Sequence, residues 1–216
     1  MLLAILVGVP LAVISARRPG GIIDTLINIV TQVGLAIPSF FSAILLTLFL
    51  AVAFRNFGGV IYRPISDGLF VSMRSLFVPA VAVAIPRVAW VVQFLRQALI
   101  EQKNHDYVRT ARGKGLRPYQ ILTNHMLRNA LVPLVTTMGI IIAELLAGSI
   151  VVEQVYNLPG LGRLLVTAIE ARDFPLTQGI VLVIATAVVV IGFLVDIVNQ
   201  AIDPRLRVQQ GRKGGR

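Results

Sequence analysis

The chain has 216 residues, no cysteine, 14% charged residues and 56% apolar residues, with a mean hydropathy of +0.82. Soluble domains carry about a quarter charged residues and less than half apolar ones, so the composition argues against a soluble globular domain, a disordered chain and a disulfide-stapled secreted domain. Twenty Lys and Arg against ten Asp and Glu give a net charge of +10, which fits nucleic acid, an anionic membrane surface or the cytoplasmic loops of a membrane protein, and the positions of the charges must decide.

A membrane-crossing helix needs about 20 mostly apolar residues. In chain order, the first candidate is Leu2 to Ala16, uncharged but short for a full span. It ends at Arg17-Arg18-Pro19-Gly20-Gly21, a stop and turn signal. Its basic pair follows the apolar run instead of preceding it, so a short first helix fits better than a signal peptide. Thr25 to Phe54 is uncharged and predicts the second span. Ser75 to Leu95 is broken only by Arg87, and Asn129 to Val152 only by Glu144. Phe174 to Val195 is uncharged and predicts the last span. Lipid offers the backbone no hydrogen bonds, so these runs are helices or barrel strands. Runs such as Val181-Leu182-Val183-Ile184-Ala185 do not alternate as barrel strands would. The expected fold is an all-α integral membrane protein with about five transmembrane helices.

Basic residues set the orientation. With Arg17 and Arg18 inside, the inside segments hold fourteen Lys and Arg and the outside segments five, with Arg87 left in a span. This places the region around 102–131 and the C-terminus in the cytoplasm. Topology then explains most of the net charge, and nucleic-acid binding is unnecessary.

The cytoplasmic loop is more than a tether. Residues 101–112 are good helix formers; Gly113 and Gly115 break that helix; Pro118 suits the first turn of the next, which continues through Asn129 toward the following span. The expectation is a helix, a glycine corner and a helix. Val108, Ala111, Leu116, Tyr119, Ile121 and Leu122 are its sparse apolar residues. That pattern fits insertion into a groove of a partner protein, and fits equally an amphipathic helix lying on lipid headgroups.

Arg109-Thr110-Ala111, then Gly115, then His125-Met126-Leu127-Arg128-Asn129-Ala130-Leu131-Val132-Pro133 resembles the EAA loop of ATP-binding-cassette importer permeases. It is most similar to the dipeptide, oligopeptide and nickel branch. Arg109, Thr110 and Ala111 occupy the Glu-Ala-Ala positions and Gly115 the Gly; His125, Leu127 and Arg128 stand where the general pattern has Ile, Leu and Pro. Gly8-Val9-Pro10-Leu11-Ala12-Val13, Ala36-Ile37-Pro38-Ser39-Phe40, Gly148-Ser149-Ile150-Val151-Val152-Glu153, Pro159-Gly160-Leu161-Gly162, Ala171-Arg172-Asp173-Phe174-Pro175 and Asp203-Pro204-Arg205 extend the resemblance in order along nearly the whole chain. Family members carry a further helix and a long extracytoplasmic segment ahead of the matched part. The expectation is therefore a chain that is a fragment, has a misassigned start, or lacks that helix.

The resemblance implies a type I importer permease fold over residues 1–204, N-terminally incomplete, with a basic cytoplasmic tail at 205–216. It implies one permease of a pair in the inner membrane, two cytoplasmic ATPase subunits and an extracytoplasmic substrate-binding protein. The substrate is expected to be a peptide, with nickel and glutathione as alternatives. The coupling loop comprises Arg109, Thr110, Ala111, Arg112, Gly115 and Leu116, with Ala111 and Gly115 allowing close approach and the arginines fixing register. Pro159, Gly160 and Gly162 belong to an outer gate.

No cofactor, metal site or catalytic group is expected, and the chain is not an enzyme. Gly113-Lys114-Gly115 lacks the spacing and hydroxyl of a phosphate-binding loop, so ATP hydrolysis falls to partners. No histidine lies in a span, and His105 and His125 are too far apart for a metal site or relay. Arg87 and Glu144 are intramembrane charges and pathway candidates; for Arg87 a structural ion pair is the favoured alternative, for Glu144 a hydrogen-bonded pore or interface carboxylate. An ATP-independent channel or secondary transporter is the competing class, but no internal repeat is evident and a basic helical corner is superfluous for a channel.

Overall fold

The computed structural model describes residues 1–54 and 59–202, and among them every regular element is helical. The chain starts with α1 (Leu2–Arg17). Ala4, Gly8, Ala12 and Ala16 recur every fourth residue and are buried. Such a small-residue stripe lets two helix backbones approach closely in lipid. The partner is α4 (Leu69–Gln102), and a Cβ on Gly8 would lie 2.7 Å from the Val91 side chain. The opposite side of α1, with Leu2, Leu6 and Ile14, is exposed and apolar, as a lipid-facing surface should be.

The apolar stretch from Thr25 to Phe54 is not one straight span. It forms α2 (Ile22–Ala36) and α3 (Ser39–Ala53), bent by 108° at the break. Pro38 is the reason: it disfavours helix at the residue before it, and Ile37 is extended at φ −86°, ψ 117°. Both halves pack on α4. Gln93 Nε2 donates to Thr31 Oγ1 at 2.7 Å, and Ser42 Oγ donates to the Ala82 carbonyl at 2.8 Å.

The central element is α4. At 34 residues it is about 50 Å long, more than the hydrocarbon layer requires. It extends the span expected at Ser75–Leu95 in both directions and carries Pro79 and Pro86 inside it, both buried. Val91, Val92, Leu95 and Leu99 are fully buried and join α1 and the later helices into the main core.

After α4 come α5 (Asp106–Gly113), the short α6 (Pro118–Gln120), a π-helical segment (Ile121–Met126) and α7 (Leu127–Gly148). Ser149 separates α7 from α8 (Ile150–Val155), so the run expected at Asn129–Val152 ends earlier than its hydropathy suggests. Then α9 (Leu161–Glu170) leads into α10 (Phe174–Ile202), which packs on α7 and α9. A Cβ on Gly139 of α7 would lie 2.2 Å from Val195 of α10, another close crossing set by a small residue. Among the described residues, Leu69–Gln102 and Phe174–Val195 are long and apolar enough to cross a membrane, and the α2–α3 pair makes a third if counted as one broken span. The tail at 205–216 and the Asp203-Pro204-Arg205 motif lie outside the described residues.

Candidate functional site

The helix, corner and helix expected between the spans are present at one end of the molecule. In α5, Val108 and Ala111 are buried in the main core, while Arg109, Thr110, Arg112 and Gly113 are exposed. Tyr107 Oη donates to Gln102 Oε1 at 2.6 Å, tying α5 to the end of α4. Ala111 therefore turns toward the chain's own core. The outward surface at the corner consists of Arg109, Thr110, Arg112 and Leu116.

One glycine makes the corner. Gly115 has φ +76°; its N–H donates to the Arg112 carbonyl at 2.9 Å, and the Leu116 N–H reaches back to the Ala111 carbonyl at 3.3 Å. This is a Schellman termination, which places a left-handed residue just after the helix. Gly113, expected to share in the break, is the last residue of α5. A Cβ on Gly115 would meet nothing within 4 Å, so within this chain glycine is needed for backbone conformation, not for space. Pro118 opens α6, and the Arg117 N–H donates to Gln120 Oε1 at 3.2 Å.

A polar clasp holds this end together. Asp24, on the first turn of α2, is only 3% exposed. Its Oδ1 accepts from Arg96 Nε at 2.6 Å and its Oδ2 from Arg96 Nη2 at 2.8 Å. Oδ1 also accepts from Ser15 Oγ and from Asn28 Nδ2, and Oδ2 from the Gly20 N–H. A carboxylate so deep is tolerated because its acceptor sites are occupied and Arg96, itself only partly buried, supplies the opposite charge. Lys103, just past α4, donates from Nζ to the Ala16 carbonyl at 2.7 Å. Burial, and then the charge of Arg112, hold the Lys103 ammonium below its usual pKa. Sequence reading missed this clasp. Asp24 looks like an ordinary helix-start acid, and its partner Arg96 lies 72 residues away; the signal was an acid at the very edge of an otherwise uncharged run.

The other end carries Pro159, Gly160 and Gly162. Glu153 of α8 accepts from Ser149 Oγ at 2.9 Å and from the Arg163 N–H, at the start of α9, at 3.1 Å. A Cβ on Gly160 would lie 2.2 Å from the Glu153 carboxylate, and one on Gly162 would lie 2.6 Å from the Ile150 Cα. A carboxylate can swing aside, whereas backbone cannot, so Gly162 is the stricter requirement. Tyr156 links this end to α3, its Oη donating to the Ala43 carbonyl at 3.0 Å.

Arg87 sits midway along α4, with its Nε buried and without a hydrogen-bond partner among the described residues. The ion pair favoured from sequence is not found among the described residues. Glu144 falls on α7, with its side chain outside the described residues. His105 stacks on Tyr107, with ring centroids 5.8 Å apart.

Residues 8–208 match the family described as the binding-protein-dependent transport system inner membrane component. The chain is 36% identical over 207 residues to a probable peptide ABC transporter permease protein, y4tP, of Sinorhizobium fredii, covering 96% of this chain and 66% of that one. It is 39% identical to a putative peptide transport system permease protein of Brucella abortus (93% and 64% covered). It is 36% identical to the oligopeptide transport system permease protein AppB of Bacillus subtilis (95% and 66% covered). The chain thus spans a little under two thirds of the length of these relatives. Among solved structures it superposes on a chain of the MetNI methionine ABC transporter, in inward-facing conformations, with a TM-score of 0.71 at 18% identity, covering 94% of this chain and 88% of that one. That likeness gives the fold, which is the type I ABC importer permease fold. On the strength of the match over residues 8–208, the chain belongs to the family of inner membrane components of binding-protein-dependent transport systems.

Proposed function

We propose that the chain is the membrane-spanning permease of an ATP-driven importer of peptides, moved by separate ATPase subunits that grip the corner at Gly115. The observation that carries this reading is the corner itself. Arg109, Thr110, Arg112 and Leu116 face outward on a short helix whose inner face is buried in the same core as α1 and α4. A push on that surface is delivered to the long helices as a rigid body, the way alternating states are exchanged in such machines. The peptide relatives named above support the substrate class. Basic residues gather at the α5 end, which supports a cytoplasmic corner and an extracytoplasmic turn at Pro159, Gly160 and Gly162 facing a substrate-binding protein. The Ala111 methyl group steadies α5 from within, and the arginines meet acidic groups of the ATPase. Arg87 lines the substrate path, and its buried Nε, which finds no partner among the described residues, supports that role; Glu144 joins it by its position in the span. A second permease completes the pathway.

The test is uptake of labelled dipeptides into vesicles containing the purified assembly. ATP-dependent accumulation that disappears when the ATPase subunits are omitted is the expected result. Conduction by the chain alone would favour a channel instead.

A further inference from the structure

At the α5 end lies a cavity of about 390 Å³ between the end of α1, the end of α4, α5 and the π segment. Four cations line it, Arg17, Arg18, Lys103 and Arg112, and among the described residues no acidic one does. The nearest buried carboxylate, Asp24, is already held by Arg96. Arg17 lies over the Tyr119 ring, 4.6 Å from its centroid. That stacking uses the face of the guanidinium and leaves its N–H donors in the plane. No ion pair of Arg17, Arg18 or Arg112 occurs among the described residues. Burial first, and then the neighbouring Arg112 charge, hold the Lys103 ammonium below its usual pKa, with Asp24 opposing in part. The floor is apolar, with Ile121, Leu122 and Met126.

Arg17 and Arg18 also border a second cavity, whose other walls are Ile14, Gly21, Ile22, Ile23 and Asp24, the last with its carboxylate already held by Arg96. These three isoleucines are exposed on α1 and α2. The pair of arginines thus stands where apolar helix surface gives way to a cluster of positive charge, the level at which a phospholipid headgroup sits. The geometry points to a binding site for an anionic phospholipid, its phosphate among Arg17, Arg18 and Lys103 and its acyl chains along Ile14, Ile22 and Ile23. Basic pockets between spans are suited to such headgroups. A zwitterionic lipid would bring a further cation into the cluster, and a free phosphate would leave the isoleucines uncovered. Because the site joins α1 to α5, a bound lipid braces the corner against the bundle. This inference goes beyond the importer reading and needs only a membrane-embedded chain.

The test is native mass spectrometry of the delipidated, purified assembly, titrated with dioleoyl-phosphatidylglycerol, dioleoyl-phosphatidylcholine or glycerol 3-phosphate. Phosphatidylglycerol should be retained preferentially. The R17Q/R18Q variant should weaken its retention by at least about tenfold, while R17K/R18K and R128Q should not. Helical circular dichroism identifies any variant that has not folded, and the charge-conserving pair supplies a reading in that case. Equal retention of phosphatidylcholine overturns the proposal. So does an equal loss in R128Q, which would mark diffuse charge attraction. Competition by glycerol 3-phosphate as strong as by the lipid would show a free-phosphate site and overturn the lipid assignment.

Discussion

At the residue scale, Gly115 and Asp24 carry separate arguments. The left-handed backbone at Gly115 costs an ordinary residue about 1–2 kcal/mol, and asparagine tolerates it best. With open space around its Cβ position, Gly115→Asn should keep most ATP-driven uptake, and Gly115→Val should lose most of it. Equal failure of both would mean that the partner needs the space and that the backbone is not the constraint. Asp24 is different, because removing one member of a buried ion pair strands the other. Asp24→Ala should destabilise the fold by about 3–5 kcal/mol, read as a lower melting temperature by circular dichroism. Melting like the wild type would show that the Arg96 contact does no structural work. The contact of Asp24 with Arg96 could not be read from the sequence, since pairing across 72 positions is a property of how α1, α2 and α4 pack. The corner was legible, since Gly115 and Pro118 each enforce a local conformation that needs no tertiary partner.

At the scale of elements, hydropathy revealed where chain enters lipid but not how it is divided. The uncharged run from Thr25 to Phe54 concealed the 108° bend, because both halves are apolar and only Pro38 marks the break. The buried face of α5 was misjudged by spacing: Val108 and Ala111 fitted a partner groove or a lipid surface, and they lie instead in the chain's own core. The π segment at Ile121–Met126 has no sequence signature of its own. A π turn holds one residue more than an α turn and is frequent at functional sites. Inserting one alanine between Leu127 and Arg128, in the regular first turn of α7, should rotate the corner by about 100° relative to the rest of that helix. The assembly should survive, while uptake falls by about tenfold, within the usual range of coupling free energies. Unchanged uptake would show that the register between corner and span is irrelevant.

At the scale of the whole molecule, the composition already argued against a soluble domain, the long non-alternating apolar runs pointed to helices in a membrane, and the charge asymmetry suggested an orientation. The central claim is that an ATPase grips the exposed side of α5. The chain has no cysteine, so a single one can be introduced without background. The most direct measurement is disulfide or maleimide cross-linking from Thr110→Cys in the purified assembly, with Leu164→Cys at the opposite end as control. The account predicts a cross-link from position 110 to an ATPase subunit, changing in yield between nucleotide-free and ATP-bound states, and none from position 164. A position 110 that reacts only with soluble reagent, or only with lipid, while the assembly still hydrolyses ATP and transports peptide, would contradict it.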